Sequence, residues 1–283
     1  MTRLVDGRAI AAAVAGQTAE AAAALRTAGV VPGLAVLLPT DDPGAAWYVR
    51  SIERAAARVG VGCQVCRFAG TAGPAEITGR LAELSADPAV HGIICQTPLP
   101  PGAALAAVAQ AIAVGKDVDG ANPASLGQVA AGLRGAFAPA TAAAVLEILR
   151  RESVPLRGRR AVVVGRSTVA GKPAALLLLA EDATVTICHS RTRDLAAVCR
   201  EAEVLVVAAG RAGLIGADHV MPGAVVIDVG TNPVPGGGLA GDVDAAAVTG
   251  IASLLTPVPG GVGPVTTALL IQQTVDAAAR AGR

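Results

Sequence analysis

Short, almost uninterrupted runs of β-branched and aliphatic residues recur in the second half of the chain, and they constrain its fold more than any other feature. Strands that lack polar alternation are typical of a parallel sheet buried on both faces. The runs are Arg160–Val164, Thr184–Cys188, Val204–Ala208 and Ala224–Val229, and helical patterns lie at residues 172–180, 194–201 and around 216–219. This alternation predicts βαβ units and a mostly parallel sheet.

The first half of the chain repeats the alternation. Predicted strands cover Gly33–Leu38, Val61–Phe68 and Gly92–Cys95, and predicted helices cover Gly7–Ala28, Ala45–Val59, Pro74–Ser85, Ala103–Ala113 and Thr141–Arg151. A stretch rich in Gly and Pro, residues 256–264, precedes a final helix at about 266–281. We therefore predict two α/β domains with a cleft between them. One comprises residues 1–138 with the C-terminal helix at about 266–283, and the other comprises residues 139–265.

The composition indicates a folded protein with an aliphatic core. Hydrophobic residues make up 53% of the 283 residues and charged residues 16%, which argues against a disordered chain. One Trp, one Tyr and two Phe are the only aromatic residues, so Ala, Val, Leu and Ile must fill the core. The formal net charge is +1, and we therefore expect no nucleic-acid partner.

The sequence supports neither a membrane-spanning helix nor a metal site. Apolar runs are interrupted well before the ~18–20 residues of a spanning helix, so we expect no membrane partner. Cys63 and Cys66 form a CxxC, but no second CxxC and no pair of histidines completes a zinc site. We predict no metal, and a reduced, cytoplasmic protein.

A glycine-rich turn follows the predicted strand that ends at Val164. Its sequence is Gly165-Arg166-Ser167-Thr168-Val169-Ala170-Gly171-Lys172-Pro173, and a helix follows. A Gly at the strand end lets the backbone approach a phosphate, and a helix N-terminus offers free N–H groups. The turn is not the GxGxxG fingerprint, so two interpretations remain open at this point, a dinucleotide site or a simple tight turn.

The next predicted strand ends in His189-Ser190-Arg191-Thr192, without an acidic residue. In NAD-binding folds an acidic residue there holds the ribose 2′-hydroxyl, whereas a basic residue accommodates a 2′-phosphate. Arg166 and Arg191 suit phosphate oxygens, and Ser190 can donate a hydrogen bond. This pattern favours NADP over NAD. The alternative is two solvated arginines on a loop.

Five segments spread along the chain carry specific motifs. Residues 257–266 read PVPGGVGPVT and residues 165–173 read GRSTVAGKP. Residues 116–120 read KDVDG, residues 228–232 read DVGTN and residues 241–243 read GDV. Together these motifs resemble the bifunctional methylenetetrahydrofolate dehydrogenase/methenyltetrahydrofolate cyclohydrolase (FolD) family over essentially the whole chain: KDVDG and GDV are the same in that family, and the other three nearly reproduce its PVPGGVGPMT, GRSxxVGxP and DVGIN.

The resemblance implies a folate-binding N-terminal domain, a Rossmann-type NADP-binding domain and a homodimer. It implies NADP-dependent oxidation of 5,10-methylenetetrahydrofolate to the methenyl cation, then hydrolysis to 10-formyltetrahydrofolate. The family's Tyr falls on Tyr48, its Gln on Gln96 and its Asp on Asp119. In the family the Tyr packs on the pterin, the Asp bonds the amino-pyrimidine edge and the Gln partners a catalytic Lys. The alternative to these roles in substrate binding is a structural role, with Tyr48 as an aromatic residue of the core and Asp119 as a helix cap.

The remaining site residues are transferred in the same way. Substrate-binding candidates are Tyr48, Val49, Gln96, Pro98, Leu99, Asp119, Gly260, Gly261, Pro264 and Thr266. Cofactor-binding candidates are Gly165, Arg166, Ser167, Ser190, Arg191, Ala209, Gly210 and Thr231.

The family's catalytic Lys is missing, because its YVxxK reads Tyr48-Val49-Arg50-Ser51-Ile52. Hydride loss from the methylene carbon needs no proton transfer, whereas the hydrolysis needs a general acid or base. We therefore predict a dehydrogenase whose cyclohydrolase activity is lost or strongly reduced. Two alternatives remain, a paralogue with another NADP-dependent substrate and a catalytically silent paralogue.

Overall fold

The computed structural model describes residues 1–68 and 71–282, which divide into two compact units. The first unit contains Met1–Ala11 and Thr141–Thr266, and the second contains Ala12–Ala140 and the residues from Thr267 onward. The helices are α1 (Gly7–Thr27), α2 (Pro43–Val59), α3 (Pro74–Ala86), α4 (Leu105–Val108), α5 (Pro123–Ala130), α6 (Ala140–Arg151), α7 (Gly171–Ala180), α8 (Leu195–Cys199), α9 (Ala245–Val248) and α10 (Val262–Ala281). The strands are β1 (Arg3–Leu4), β2 (Gly33–Leu38), β3 (Gly62–Arg67), β4 (Gly92–Cys95), β5 (Arg160–Val164), β6 (Thr184–Cys188), β7 (Val204–Val207), β8 (Val225–Asp228), β9 (Asn232–Pro233), β10 (Leu239–Ala240) and β11 (Leu254–Leu255).

The sheet of the first unit has the order β1-β11-β8-β7-β5-β6, and all neighbouring strands in it are parallel. Its central strands are buried almost throughout, as their unbroken apolar sequences predict. β9 and β10 form a separate antiparallel pair. The predicted parallel α/β architecture is confirmed.

The sheet of the second unit has the order β3-β2-β4 and is also parallel. Alternate residues of β2 enter two different hydrophobic clusters, with Leu34, Val36 and Leu38 on one face and Ala35 and Leu37 on the other. Cys63 and Cys66 of β3 pack against opposite clusters as well. The two thiols of the CxxC therefore lie on opposite faces of the sheet.

The N-terminal strand β1 belongs to a different unit than the sequence predicts. The prediction groups residues 1–11 with residues 12–138, whereas the structure groups them with Thr141–Thr266. β1 pairs in parallel with β11, Val5 N–H donates to Leu255 O at 3.0 Å, and Arg3 forms an ion pair with Glu152. A two-residue strand leaves no periodic signal, so local sequence could not predict this pairing.

Two segments predicted as helices are only partly or not α-helical. The segment predicted as Ala103–Ala113 forms only α4 and a single 3₁₀ turn, Ala109–Ala111. Side chains capture the backbone there: the Ser85 hydroxyl binds Ala111 O and Ala113 N–H, and the Asn122 amide binds Ile112 O. The segment around Gly216–His219 is likewise a 3₁₀ turn, Ala217–His219.

Helix α10 begins one turn earlier than predicted, at Val262 rather than Thr266. Pro264 is tolerated in the first turn because the N–H groups there have no partner within the helix. The expected C-terminal segment ends at Arg283, which lies outside the described residues.

Candidate functional site

The glycine-rich turn after β5 is shaped for close approach of the backbone. Gly165 has φ +129°, and a Cβ atom there would lie 2.1 Å from Ala208 O. A Cβ atom on Gly171, the first residue of α7, would lie 2.2 Å from Gly165 O. The Ser167 hydroxyl accepts from Ala170 N–H at 3.2 Å, and Arg166 and Ser167 are exposed. The turn thus presents exposed polar groups beside a helix N-terminus, an arrangement that fits a nucleotide phosphate.

The turn after β6 lies beside the glycine-rich turn, because Gly165 N–H donates to Cys188 O at 2.9 Å. His189 shapes it: its Nδ1 accepts from Arg191 N–H at 3.1 Å, and its own N–H donates to Thr192 Oγ1 at 2.9 Å. Ser190 and Arg191 remain exposed at its tip. His189 therefore orders the turn, and the side chains available to a ligand are those of Ser190 and Arg191.

The loops after β7 and β8, which carry the candidates Ala209, Gly210 and Thr231, are tied to buried acids. Asp242 accepts hydrogen bonds from the N–H groups of Ala209, Gly210 and Arg211, at 2.6, 2.9 and 2.8 Å. Asp228 accepts from the N–H groups of Gly230, Asp242 and Val243. Sequence reasoning used Asp228 and Asp242 only as parts of motifs and missed this role.

Burial raises the pKa of the Asp228 carboxyl to about 6, although the three N–H donors act in the opposite direction. The nearby Asp242 carboxylate adds a smaller upward contribution. The structure thus holds two acids close together in the interior of the first unit, mainly on backbone N–H donors.

Helix α2 places Tyr48 and Ile52 one turn apart, so both side chains lie on the same side of the helix. Its start is fixed by Asp42, whose carboxylate accepts from Ala45 N–H at 2.7 Å, with Pro43 at the first position. Gly60 ends the helix with φ 75°. Ile52 is 0% exposed and belongs to the hydrophobic cluster of this unit.

Tyr48 and Asp119 interact electrostatically. Burial, and then the charge of Asp119, raise the pKa of the half-buried Tyr48 phenol well above its usual value, while a hydrogen bond with Thr267 opposes the shift. Burial raises the pKa of the Asp119 carboxyl to about 7, and Asp117 adds to the rise, while Ala140 N–H donates to Asp119 and opposes it. Asp119 is therefore a carboxyl group that titrates near neutral pH.

Asp117, the other acid of this segment, has a structural role. It is 0% exposed, and it accepts from the N–H groups of Ala121 and Asn122 and from the Ser125 hydroxyl, at 3.0, 2.9 and 2.5 Å. These bonds hold the turn that leads into α5. Asp119 is the acid of this motif whose charge acts on the Tyr48 phenol.

Gln96, Pro98 and Leu99 follow the carboxyl end of β4 in the same unit. The Gln96 amide donates to its neighbour Thr97 O at 3.4 Å, and within the described ranges it has no hydrogen bond to Tyr48 or Asp119. Pro98 is exposed, and Leu99 packs against a hydrophobic cluster. Val49 is 0% exposed in the core, so of these candidates its side chain is the least accessible to a ligand.

The signature segment at residues 257–266 belongs to the first unit and forms a tight turn. Gly261 N–H donates to Pro257 O at 2.8 Å, and Gly260 has φ +108°. A Cβ atom on Gly261 would lie 2.6 Å from Pro257 O, so only Gly fits. Pro264 and Thr266 follow in the first turns of α10, where the buried Thr266 hydroxyl donates to Val262 O at 3.2 Å.

Comparison with known proteins decides the family. Residues 5–119 match the tetrahydrofolate dehydrogenase/cyclohydrolase catalytic domain, and residues 139–282 match the NAD(P)-binding domain of the same family. The chain belongs to the tetrahydrofolate dehydrogenase/cyclohydrolase family. It is therefore an enzyme of a dehydrogenase family, with a catalytic domain and an NAD(P)-binding domain.

Relatives and solved structures of this family are similar over almost the full chain. A bifunctional protein FolD from a Parafrankia species is 62% identical over 98% of this chain and 99% of its own length. The structure of the bifunctional FolD enzyme from Campylobacter jejuni has a TM-score of 0.96 and 36% identity, and covers 99% of both chains. The Trypanosoma brucei FolD, solved with NADP cofactor and an inhibitor, has a TM-score of 0.95 and 38% identity, and covers 100% of this chain and 99% of its own.

Neither a membrane span nor a metal site is found in the part of the chain that the structure describes. Within residues 1–68 and 71–282, no helix is both long and apolar enough to cross a membrane. In the same ranges, no group of three or more His, Cys, Asp or Glu side chains is placed to hold a metal ion.

Proposed function

We propose that this enzyme oxidises 5,10-methylenetetrahydrofolate to 5,10-methenyltetrahydrofolate with NADP, and that its cyclohydrolase activity is lost or strongly reduced. The observation that carries the proposal is Ile52, a fully buried aliphatic residue at the position of the family's catalytic Lys. Tyr48 and Asp119, by contrast, are both present, and the charge of Asp119 acts on the Tyr48 phenol. The enzyme has the groups that hold the substrate but lacks the group that activates water.

The oxidation depends on positioning, for which this chain has the residues. The methylene carbon loses a hydride, and the lone pairs of the substrate's N5 and N10 stabilise the remaining cation, so no side chain has to move a proton there. NADP, when bound, supplies the acceptor for the hydride. Tyr48 can pack on the pterin, and Asp119 can bond its amino-pyrimidine edge.

The hydrolysis needs more from the protein. Water must add to the methenyl carbon and lose a proton, and a C–N bond must then break. General acid–base catalysis of such steps contributes about 10²–10⁴-fold. Ile52 has no titratable group, and Arg50 and Arg54 lie exposed on α2 at helical offsets that point away from it. Because arginine stays protonated, neither residue replaces the lysine.

The preference for NADP rests on the basic loops of the NAD(P)-binding domain. Arg166, Ser190 and Arg191 are exposed at the carboxyl ends of the adjacent strands β5 and β6, and no acidic residue stands in either turn. Two guanidinium groups suit a 2′-phosphate, whereas the 2′-hydroxyl of NAD needs an acceptor. The Trypanosoma brucei relative was solved with NADP as its cofactor, which supports the same choice here.

The test assays the two half-reactions separately. Purified wild-type protein is given 5,10-methylenetetrahydrofolate and NADP, and NADPH and the methenyl product are followed independently. We expect NADPH to form while methenyltetrahydrofolate accumulates. Formation of 10-formyltetrahydrofolate from methenyl substrate well above the uncatalysed rate contradicts the loss of the cyclohydrolase. Absence of turnover and of folate binding supports a repurposed or silent paralogue instead.

Two variants sharpen this test. Ile52→Lys restores the missing ammonium group, and we expect it to raise the cyclohydrolase rate by at least roughly tenfold, within the range of general acid–base catalysis. Ile52→Met is the matched control, because it replaces Ile52 with an unbranched apolar chain that carries no titratable group. A gain in both variants, or in neither, argues against the assignment of Ile52.

We also propose a cytoplasmic homodimer with no nucleic-acid or membrane partner. The five cysteines are all free, as is usual in a reducing compartment, and the net charge is +1. The dimer is supported by the resemblance to the family alone. Light scattering after size-exclusion chromatography tests it, and a single monomer mass across the micromolar range contradicts it.

A further inference from the structure

Two acids are buried in the first unit, which contains most of the NAD(P)-binding domain. One is the last residue of β8 and the other lies two residues after β10. Asp228 is 3% exposed and Asp242 is 0% exposed, and neither belongs to an ion pair within residues 1–68 and 71–282. A buried carboxylate without a cation is costly unless several hydrogen-bond donors surround it. The backbone donors around these two acids therefore determine what the acids can do.

Asp242 binds three successive N–H groups of one loop. Ala209 and Gly210 donate to Oδ2 and Arg211 donates to Oδ1, while the Asn232 side chain also donates to Oδ1 at 2.8 Å. Gly210 has φ +67°, which turns consecutive N–H groups toward the same side, as in an anion-binding nest. Here the anion in the nest is a side chain of the protein itself.

Asp228 anchors Asp242 in turn. Its carboxylate accepts from Asp242 N–H at 2.9 Å and from Val243 N–H at 3.0 Å. A Cβ atom on Gly230 would lie 2.4 Å from Asp242 N, and one on Gly241 would lie 1.8 Å from Asp228 Oδ2. Both glycines are therefore needed for the carboxylates to reach their donors.

The loop held by Asp242 adjoins the glycine-rich turn. Ala208 N–H donates to Val164 O at 2.8 Å, and Ala208 O would lie only 2.1 Å from a Cβ atom on Gly165. Ala209, Gly210 and Arg211 are themselves exposed, although their N–H groups are bound to a buried acid. The loop thus offers a ligand its outer surface in a fixed shape, with its donors already occupied.

We propose that Asp242 is a positioning residue for the cofactor: its carboxylate holds the loop of residues 209–211 in the shape that receives NADP. Asp242 itself touches no ligand, because it is buried beneath the loop. The inference rests on the proposed assignment of Ala209 and Gly210 to the cofactor site. Asp228 acts one step further away, through the backbone of residues 242 and 243.

The experiment compares Asp242→Asn with Asp244→Asn in the full-length protein. Asn has the shape of Asp, but its neutral NH2 group replaces one carboxylate oxygen and faces the N–H groups of the loop. The nest therefore loses its anion. Asp244 is the matched control: it caps α9 through Ala247 N–H at 3.1 Å and, among the described residues, makes no hydrogen bond to residues 209–211. NADPH binding is measured by fluorescence titration. We expect the Kd for NADPH to rise roughly tenfold or more in Asp242→Asn, the scale of a lost charged hydrogen bond, and to stay near wild type in Asp244→Asn.

Two further readouts separate positioning from general destabilisation. The KM for the folate substrate, measured at saturating NADP, should change much less than the KM for NADP. Amide hydrogen exchange of the ligand-free protein should be faster at residues 209–211 in Asp242→Asn, with β7 (Val204–Val207) unchanged. In wild type without cofactor, these three amides should already be protected, a measurement that needs no variant to fold.

Three outcomes overturn the inference. Unprotected amides at residues 209–211 in ligand-free wild type show that the nest is not formed. An unchanged Kd for NADPH in Asp242→Asn, with wild type binding normally, removes the positioning role but leaves the proposed function intact. Wild-type protein that binds no NADPH removes the cofactor assignment and this inference together.

Discussion

Replacing Asp119 by Asn should make the protein increasingly more stable than wild type as the pH rises. The Asp119 carboxyl has its pKa raised to about 7 by burial and by Asp117, whereas an Asp in an unfolded chain titrates near 3.9. The folded state therefore holds this proton over a pH range in which the unfolded state releases it. The resulting stability is fully present below the unfolded pKa and is lost as the pH rises through the folded pKa.

The size of the effect follows from the two pKa values. Linkage gives a loss of about 2–3 kcal/mol between pH 5 and pH 8 for a group that moves from about 4 to about 7. The neutral Asn side chain lacks this loss, and its oxygen can still accept from Ala140 N–H. The difference in free energy of unfolding, Asp119→Asn minus wild type, should therefore grow by that amount over the same range.

The assay is urea unfolding at pH 5, 6, 7 and 8 at constant ionic strength. Trp47, the single tryptophan, lies in α2 of the same unit as Asp119, so its fluorescence reports on the relevant unfolding. Asp42→Asn, the same change at an exposed helix cap, serves as the control for the substitution itself. A difference that stays constant or shrinks between pH 5 and pH 8 refutes the argument that the folded protein holds Asp119 as a neutral acid.

Two smaller predictions concern packing in each unit. Burial, and then Glu53, raise the pKa of the Cys63 thiol to about 11. Alkylation of Cys63 by iodoacetamide at pH 7.5, followed by mass spectrometry of its peptide, should therefore be much slower in the folded than in the urea-unfolded protein. Equal rates contradict this. Gly241→Ala should lower the free energy of unfolding by about 1–3 kcal/mol, because the new methyl group overlaps Asp228. Gly216→Ala, whose Cβ atom meets nothing within 4 Å, should change it little. Chemical denaturation compares the two variants, and similar losses of stability refute the overlap.

The sequence was sufficient for elements whose own residues carry the signal. β2, β4, β5 and β6 lie at their predicted bounds because each is a short apolar run ended by polar or turn residues. β1 was missed because two residues form no pattern, and its partner β11 lies at the other end of the chain. Helix α5 was missed although it has a recognisable start, with Asn122 capping Ala124 N–H at 2.8 Å and Pro123 at the first position. Attention to capping residues would have found it.

The site divides in the same way between local and distant information. Motif matches identified the segments that carry Tyr48 and Asp119, but the raised pKa of Asp119 depends on burial by residues far away in sequence, which no motif encodes. The nest around Asp242 is a stronger case, because its three donors lie more than 30 positions before the acid. Such contacts between loops can be recognised only when the strands that bring them together are in place.

Ile52 shows how the structure changes the meaning of a substitution. From the sequence alone, Arg50 and Arg54 are already poor replacements for the missing lysine, because arginine stays protonated and their offsets from Ile52 point to another face of the helix. In the structure, Ile52 is fully buried and packs in the cluster that contains Val118, directly before Asp119. The causes of the raised pKa of Asp119 include no cation, and an apolar residue at position 52 supplies none. Introducing Lys at position 52 should therefore lower the pKa of Asp119 as well as supply a base, and the pH dependence of Ile52→Lys should differ from that of wild type in both stability and rate.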